Sequence, residues 1–156
     1  MVSRHAKSIA FRDGALDLRA CEPPGDTDFI RAETALNIRP FYEHTYGWNV
    51  ERSQQEPKRP EDYTMVGFEG ATIGFFALHD KPDCSYLADI QLVTRVRGRG
   101  LGTRLMEHIH GLARATGHRT IRLRVFHANR AGALYRRLGY AVDSSDEHTA
   151  VMSKML

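Results

Sequence analysis

The chain has 156 residues and a mass of 17.7 kDa, and 42% of its residues are hydrophobic while 26% are charged. One domain with one hydrophobic core is expected at this length, and the composition excludes a disordered, fibrous or membrane-spanning protein. The formal net charge of +3 hides an asymmetry: residues 95–137 contain 11 arginines and one acid, Glu107, whereas residues 1–94 contain 10 basic and 15 acidic side chains. An arginine-rich segment of this kind favours a polyanionic ligand, either a nucleic acid or a phosphorylated small molecule.

The N-terminal sequence gives the domain boundary. The first 14 residues are mostly polar and lack an apolar stretch, so we expect a loose extension over 1–14, no secretory signal, and a single domain over 15–156. No run of ~18 apolar residues is present, which excludes a membrane helix. The two cysteines, Cys21 and Cys84, fit neither a disulfide framework nor a metal motif, and this favours reduced thiols and a cytoplasmic location.

The first elements follow from local patterns. Alternating apolar residues predict a strand over 15–20, and a helix capped by Asp26 or Thr27 is predicted to run to Leu36. Pro40 is expected to end or kink that helix. Residues 53–61 have the composition of a loop. Four aromatic residues after the helix either line an acceptor pocket or belong to the core: Phe41, Tyr42, Tyr46 and Trp48.

The second half of the chain alternates strands and helices. The predicted elements are a hairpin over 63–68 and 72–78, a strand over 85–93, a helix over 101–116, a strand over 121–125, a short helix over 129–138, and strands over 140–144 and 149–155. The longer helix carries a stripe of apolar residues, namely Leu101, Leu105, Ile109, Leu112 and Ala113. The order of elements indicates a mixed α/β domain with an early antiparallel meander.

A glycine-rich turn joins the third of these long strands to the longer helix. Glycines occupy positions 98, 100 and 102, and such a turn before a helix N-terminus lets backbone amides approach a phosphate. A P-loop is excluded because no lysine lies between Lys81 and Lys154. A dinucleotide-binding turn is excluded because Thr103 stands where its third glycine is required.

The residues around this turn resemble those of the GNAT superfamily of acyl-CoA-dependent N-acetyltransferases. Arg97-x-x-Gly100-x-Gly102 matches the family pattern Q/R-x-x-G-x-G/A, and the block LRVFHANRAGALYRRLGY is similar to a second family motif. The resemblance covers residues 15–156. It implies a mixed α/β fold with a mostly antiparallel six- or seven-stranded sheet, splayed between its fourth and fifth strands and flanked by about four helices.

The resemblance also implies a cofactor and its ligands. Acetyl-CoA is the expected co-substrate, with its pyrophosphate at the glycine turn and its pantetheine arm along the edge of the strand over 85–93. The implied cofactor-binding residues are Ile90, Gln91, Leu92, Arg97, Gly98, Arg99, Gly100, Leu101, Gly102, Thr103, Asn129 and Tyr135. The spacing departs from the family by one residue, so that either Asn129 or Ala128 takes the family's Asn position. Thr94 replaces a proline that is frequent in the family.

The implied reaction is direct attack of an amine on the thioester. Tyr135 matches the family's general acid; Leu134 and Leu138 are expected to be buried one turn apart, with Tyr135 about 100° around the helix from Leu134. Asp89 is a candidate base or an ion-pair partner of an arginine. Further candidates for the base are Tyr86, Glu51 and His79, and a water relay without a dedicated base is the other possibility.

The acceptor is expected to be a primary amine of a small molecule or a peptide, and the acidic residues 1–94 are compatible with a cationic one. No metal site is expected, because His108 and His110 point to different sides of one helix. The alternatives are a CoA-binding protein of this fold without catalysis and a basic nucleic-acid-binding module, although the arginines do not follow one long helix. A homodimer is compatible with the resemblance.

Overall fold

A computed structural model describes residues 8–12, 14–45 and 59–156. The strands in these residues are β1 Ser8–Phe11, β2 Gly14–Ala20, β3 Tyr63–Phe68, β4 Ala71–Asp80, β5 Ser85–Leu92, β6 Thr120–Phe126, β7 Ala141–Ser145 and β8 Thr149–Met155. The helices are α1 Gly25–Thr45, α2 Leu101–Ala115 and α3 Ala131–Arg137, with short 3-10 turns at Pro60–Asp62 and Thr94–Val96. No helix in the described ranges is both long enough and apolar enough to cross a membrane.

The strands pair in the order β1-β2-β3-β4-β5-β6-β8-β7. The pairs β1–β2, β2–β3, β3–β4, β6–β8 and β7–β8 are antiparallel, whereas β5 and β6 are parallel. The mixed α/β class and the mostly antiparallel sheet are therefore confirmed, but the described residues form eight strands, not six or seven. The parallel register contains three pairs, from Ser85–Ile121 to Leu87–Leu123, while β5 continues to Leu92.

The chain divides into two compact units, with β4 and β5 contributing residues to both. The N-terminal unit contains described residues within 8–77 together with 89–98, and the C-terminal unit contains 78–88 and 99–156. In the N-terminal unit, Ile30 of α1 packs with Met65 and Phe75, which are both fully buried. Burial of side chains of this size stabilises a fold by roughly 1.5–3 kcal/mol each.

The core of the C-terminal unit lies between helices and β6. Helices α2 and α3 both contact β6, whose Ile121, Leu123 and Val125 are buried. The predicted stripe of α2 is confirmed, with Leu112 only partly buried and the other four members buried. Met106 and His110 are buried on the same helix, so the buried face of α2 is wider than the stripe.

The expectation of irregular chain before residue 15 does not hold for Ser8–Phe11. These residues form β1, which pairs with β2 from Ser8–Asp17 to Phe11–Gly14. Ile9 is buried, and the ring of Phe11 packs edge-on against Phe68 with 6.0 Å between centroids. A strand of four residues with so little apolar alternation is stabilised by pairing with its partner strand, so no local sequence pattern predicts it.

Helix α1 continues past Leu36 and through Pro40 to Thr45, so the predicted boundary at Leu36 is wrong and Pro40 does not end the helix. Proline has no backbone N–H, so the carbonyl of Leu36 lacks its helical hydrogen-bond donor. Leu36 is exposed, and water can donate to this carbonyl instead. Asp26 also lies inside the first turn and is not the cap: its carboxylate accepts hydrogen bonds from the Arg19 guanidinium and from the Glu22 amide. The predicted loop over 53–61 lies mostly outside the described residues.

Candidate active site

The glycine turn leads into α2 as the sequence predicts. Gly98 and Gly100 have φ of +73° and +86°, values that side chains with a Cβ rarely adopt. Gly100 precedes the helix in the left-handed conformation, no side chain of the described residues caps α2, and the carbonyl of Gly100 accepts the amide of Arg104 at 3.1 Å. The amides of Leu101, Gly102 and Thr103 therefore have no acceptor within the helix, which is the donor set that phosphate oxygens require.

The Arg97 side chain makes its hydrogen bonds within the N-terminal unit, to which Arg97 belongs. Its Nε donates to the carbonyl of Leu92 at 3.1 Å, and its Nη2 donates to Oδ1 of Asn37 in α1 at 2.7 Å. The guanidinium thus ties the start of the glycine turn to the end of β5 and to α1.

Asp89 lies on β5 between two neutral donors. Gln91 Nε2 donates to Asp89 Oδ1 at 3.0 Å, and the Tyr63 hydroxyl donates to Oδ2 at 3.4 Å. Burial raises the pKa of the Asp89 carboxyl, and these two hydrogen bonds act in the opposite direction. Burial and the charge of Asp89 raise the pKa of Tyr63 as well. In the described part of the chain the hydrogen-bond partners of Asp89 are neutral, so the arginine pair left open by the sequence is not formed.

Residues of α1, which the sequence does not identify as part of the site, extend this arrangement. Gln91 Nε2 also donates to the Thr34 hydroxyl at 3.3 Å, and Asn37 Nδ2 donates to Gln91 Oε1 at 3.1 Å. Gln91 is buried, with 6% of its surface exposed. No local pattern points to these contacts, because Asn37 and Gln91 are 54 residues apart in the chain.

Tyr135 lies in the C-terminal unit on α3 and is buried, with 6% of its surface exposed. Its ring centroid is 5.6 Å from that of Tyr140, whose hydroxyl is 2.9 Å from Nε2 of His110. Leu134 and Leu138 are only partly buried, so the expected buried pair is wrong. The buried residues of α3, which contacts β6, are instead Gly132 and Tyr135.

Asn129 has a local structural role. Its Oδ1 accepts the amide of Ala131 at 2.9 Å, and its own amide donates to the carbonyl of Phe126 at 3.0 Å. This is an Asx-type turn, which asparagine side chains commonly form, and it lies at the start of α3. Ala128, the other residue at the family's Asn position, is exposed.

The remaining candidates lie elsewhere. Tyr86 is on β5 and His79 is on β4, both in the C-terminal unit and partly buried. Phe41 and Tyr42 are partly buried residues of α1. Glu51, Tyr46 and Trp48 lie outside the described residues. Within the described ranges, no group of three or more His, Cys, Asp or Glu side chains is placed to hold a metal ion.

The profile of the acetyltransferase (GNAT) family matches residues 28–140, and the chain belongs to this family. The structure is similar to PaiA N-acetyltransferase from Thermoplasma acidophilum in complex with coenzyme A, with a TM-score of 0.70 and 15% identity over 90% of this chain and 99% of that one. A GNAT-family acetyltransferase from Listeria monocytogenes gives a TM-score of 0.70 and 17% identity over 96% and 99% of the two chains. The ribosomal-protein-S18-alanine N-acetyltransferase from Escherichia coli gives 0.61 and 22% identity over 90% and 93%.

Proposed function

We propose that the protein transfers an acetyl group from acetyl-CoA to a primary amine of a small molecule or peptide. The observation that carries this proposal is the start of α2, where three amides without helical acceptors follow two glycines of positive φ in the family's motif. Arg99 and Arg104 add positive charge beside these amides. Such a donor set fits a pyrophosphate.

The cofactor-binding residues proposed are those implied by the family resemblance. The amides of Gly98 to Thr103 bind the pyrophosphate, and the backbone of Ile90 to Leu92 pairs with the pantetheine arm. Arg97 stabilises the start of the turn through its hydrogen bonds to the Leu92 carbonyl and to Asn37. Asn129 orients the start of α3, on which Tyr135 lies.

The proposed chemistry assigns one proton transfer to each of two side chains. Acetyl-CoA supplies an acyl group activated as a thioester. The amine nitrogen bonds to the acyl carbon, the carbon–sulfur bond breaks, Asp89 receives the proton lost by the amine, and Tyr135 gives a proton to the leaving thiolate. Asp89 suits the base role because burial raises its pKa while Gln91 and Tyr63 still favour the ionised form.

Release of the CoA thiol tests the proposal. With acetyl-CoA and a library of small amines and N-terminal peptides, we expect thiol release from the wild type. Asp89→Asn should lower kcat/KM at least tenfold and remove the acidic limb of its pH profile. Tyr135→Phe should lower kcat chiefly below the basic limb, where a general acid still holds its proton, and should remove that limb. Tyr86→Phe and His79→Gln compare the other candidate bases in the same assay.

Two results would contradict the proposal. Turnover of Tyr135→Phe equal to wild type at every pH would remove Tyr135 as the acid. Thermal stabilisation by CoA without thiol release from any amine would instead indicate a CoA-binding protein without catalysis.

A further inference from the structure

A continuous chain of hydrogen bonds runs from the glycine turn to Asp89 within the N-terminal unit. Arg97 Nη2 donates to Asn37 Oδ1 at 2.7 Å, Asn37 Nδ2 donates to Gln91 Oε1 at 3.1 Å, and Gln91 Nε2 donates to Asp89 Oδ1 at 3.0 Å. We propose that Asn37 and Gln91 are positioning residues that hold the Asp89 carboxylate in its ionised form. This inference rests on the proposed function, in which Asp89 accepts a proton.

The direction of the chain is fixed at Asn37. An amide side chain can present either its oxygen or its nitrogen to a neighbour, so its orientation depends on its partners. A guanidinium such as that of Arg97 can only donate, and it therefore selects the oxygen of Asn37. On the other side, Glu33 Oε2 accepts from Asn37 Nδ2 at 3.4 Å, and an ionised carboxylate can only accept. Both partners require the same orientation of Asn37.

The orientation of Asn37 then fixes that of Gln91. Because Asn37 presents its nitrogen, Gln91 must turn its oxygen toward Asn37 and its nitrogen toward Asp89. The reverse orientation would place the Gln91 oxygen against the Asp89 carboxylate, as two facing acceptors. Thr34 does not decide the matter, since a hydroxyl can both donate and accept. A donor aimed at a carboxylate favours the charged form and opposes the effect of burial.

The charged and titratable groups around Asp89 come from several elements. Tyr63 of β3 contacts it directly, and Cys21 and Asp62 lie near Tyr63. Glu33 and Arg97 reach it through Asn37. Substitutions that change charge would therefore alter the pKa of Asp89 by a direct field as well as through the chain. Neutral replacements of Asn37 and Gln91 by leucine, which is similar in size, avoid this ambiguity.

A double-mutant cycle with Asn37→Leu and Gln91→Leu tests the inference. The pKa of Asp89 is measured by carboxyl carbon NMR, with the resonance assigned from its loss in Asp89→Asn. Gln91→Leu should raise the pKa by about one unit, since it removes a hydrogen bond to the charged form. Asn37→Leu should raise it by about half a unit in the wild-type background and by nothing in the Gln91→Leu background, because Asn37 acts only through Gln91.

Either of two results would overturn the inference: no shift in Asn37→Leu, or the same shift whether or not Gln91 is present. Leu36→Gln is the matched control on α1, since it is a neutral substitution of an exposed side chain next to Asn37, and it should leave the pKa of Asp89 unchanged. Gln91→Met replaces Gln91→Leu if the latter does not fold.

The titration needs no substrate, so it separates this inference from the proposed function. Absence of thiol release by the wild type would overturn the proposed function alone, because the titration still decides whether Asn37 acts on Asp89. In active enzyme, the acidic limb of the kcat/KM profile of Asn37→Leu should move to higher pH by the shift found in the titration. An unmoved limb would overturn the positioning role of Asn37.

Discussion

His110 is buried and Asp89 is partly buried, and titration of the two groups changes stability in opposite directions. Burial lowers the pKa of His110 to about 4, and the positive charges of Lys154 and Arg114 add to this effect. Between about pH 6.5 and 4 the unfolded chain therefore takes up a proton that the native His110 does not, so stability falls as the pH falls through this interval. The native Asp89 carboxyl has a raised pKa, so it takes up a proton at a higher pH than the unfolded chain does, and its contribution to stability grows as the pH falls through that interval.

Replacing His110 with glutamine should weaken the acid sensitivity of the fold. Glutamine keeps an oxygen that can accept from the Tyr140 hydroxyl, 2.9 Å from His110 Nε2 in the wild type, but it does not titrate. We expect His110→Gln to lose less stability than the wild type between pH 7 and 4, as measured by urea unfolding at several pH values. Equal losses in the two proteins would show that protonation of His110 does not drive acid unfolding.

The sequence identifies some residues of the candidate site and misses their partners for a physical reason. Asp89 and Tyr135 are proposed from their positions relative to the glycine turn and the second motif. The partners of Asp89 come from distant segments, since Tyr63 is 26 residues away. Tyr140, which packs against Tyr135, contacts His110, which is 30 residues from Tyr140 in the chain. The polar face of α1 that contains Asn37 has the composition of a solvated surface, and only its hydrogen bonds to Gln91 of β5 give it a role.

At the scale of elements, β4 and β5 approach each other closely beside the candidate base. A Cβ at Gly74 would lie 2.2 Å from the carbonyl oxygen of Gln91, and the amide of Val93 donates to the carbonyl of Ile73 at 2.8 Å. Because the obstructing atom belongs to the backbone, β5 itself would have to move. The absence of a side chain at position 74 is thus what lets β5 place Asp89 and Gln91 where they are.

Gly74→Ala should destabilise the fold by about 1–3 kcal/mol, the usual range for overpacking. The matched control is Gly67→Ala on the adjacent strand β3, where the nearest atom to an added Cβ is 3.5 Å away, an ordinary contact. The control should change stability by less than about 1 kcal/mol in urea unfolding. The same unfolding midpoint for both variants would contradict the close approach of β5 to Gly74.

Most elements could be predicted because their signals are local. The hairpin of β3 and β4, the strand β6 and the amphipathic α2 follow from alternation and from the stripe, and Gly117 marks the end of α2 within two residues. The failures occur where distant residues decide. β1 needs β2 as a partner, and α1 passes Pro40 because one lost backbone bond is a small fraction of a 21-residue helix.

For the whole molecule, the net charge matters less than its position along the chain. The balance of residues 95–137 is 11 arginines against Glu107, and these residues include the glycine turn from Arg97, α2 and α3. Several arginines of this segment pair with acids in the C-terminal unit: Arg122 lies 3.4 Å from Asp83 and Arg124 lies 3.7 Å from Asp146. The excess is therefore partly neutralised along the strands, in contrast to the continuous basic surface that a nucleic-acid strand requires.

The two ends of α2 distinguish a nucleotide cofactor from a nucleic acid. Arg99 precedes the helix at the glycine turn, whereas Arg114 is exposed in its last turn. If the turn binds the phosphates of CoA, Arg99→Gln should weaken CoA binding about fivefold, the equivalent of ~1 kcal/mol, while Arg114→Gln should change it less than twofold. Calorimetry with CoA, and fluorescence anisotropy with a single-stranded 20-mer of DNA or RNA, measure the two activities in parallel. Equal effects of both variants on oligonucleotide binding, together with no binding of CoA, would favour the nucleic-acid alternative. Binding to a phosphate backbone depends on the number of arginines, so the position of each arginine on the helix would matter little.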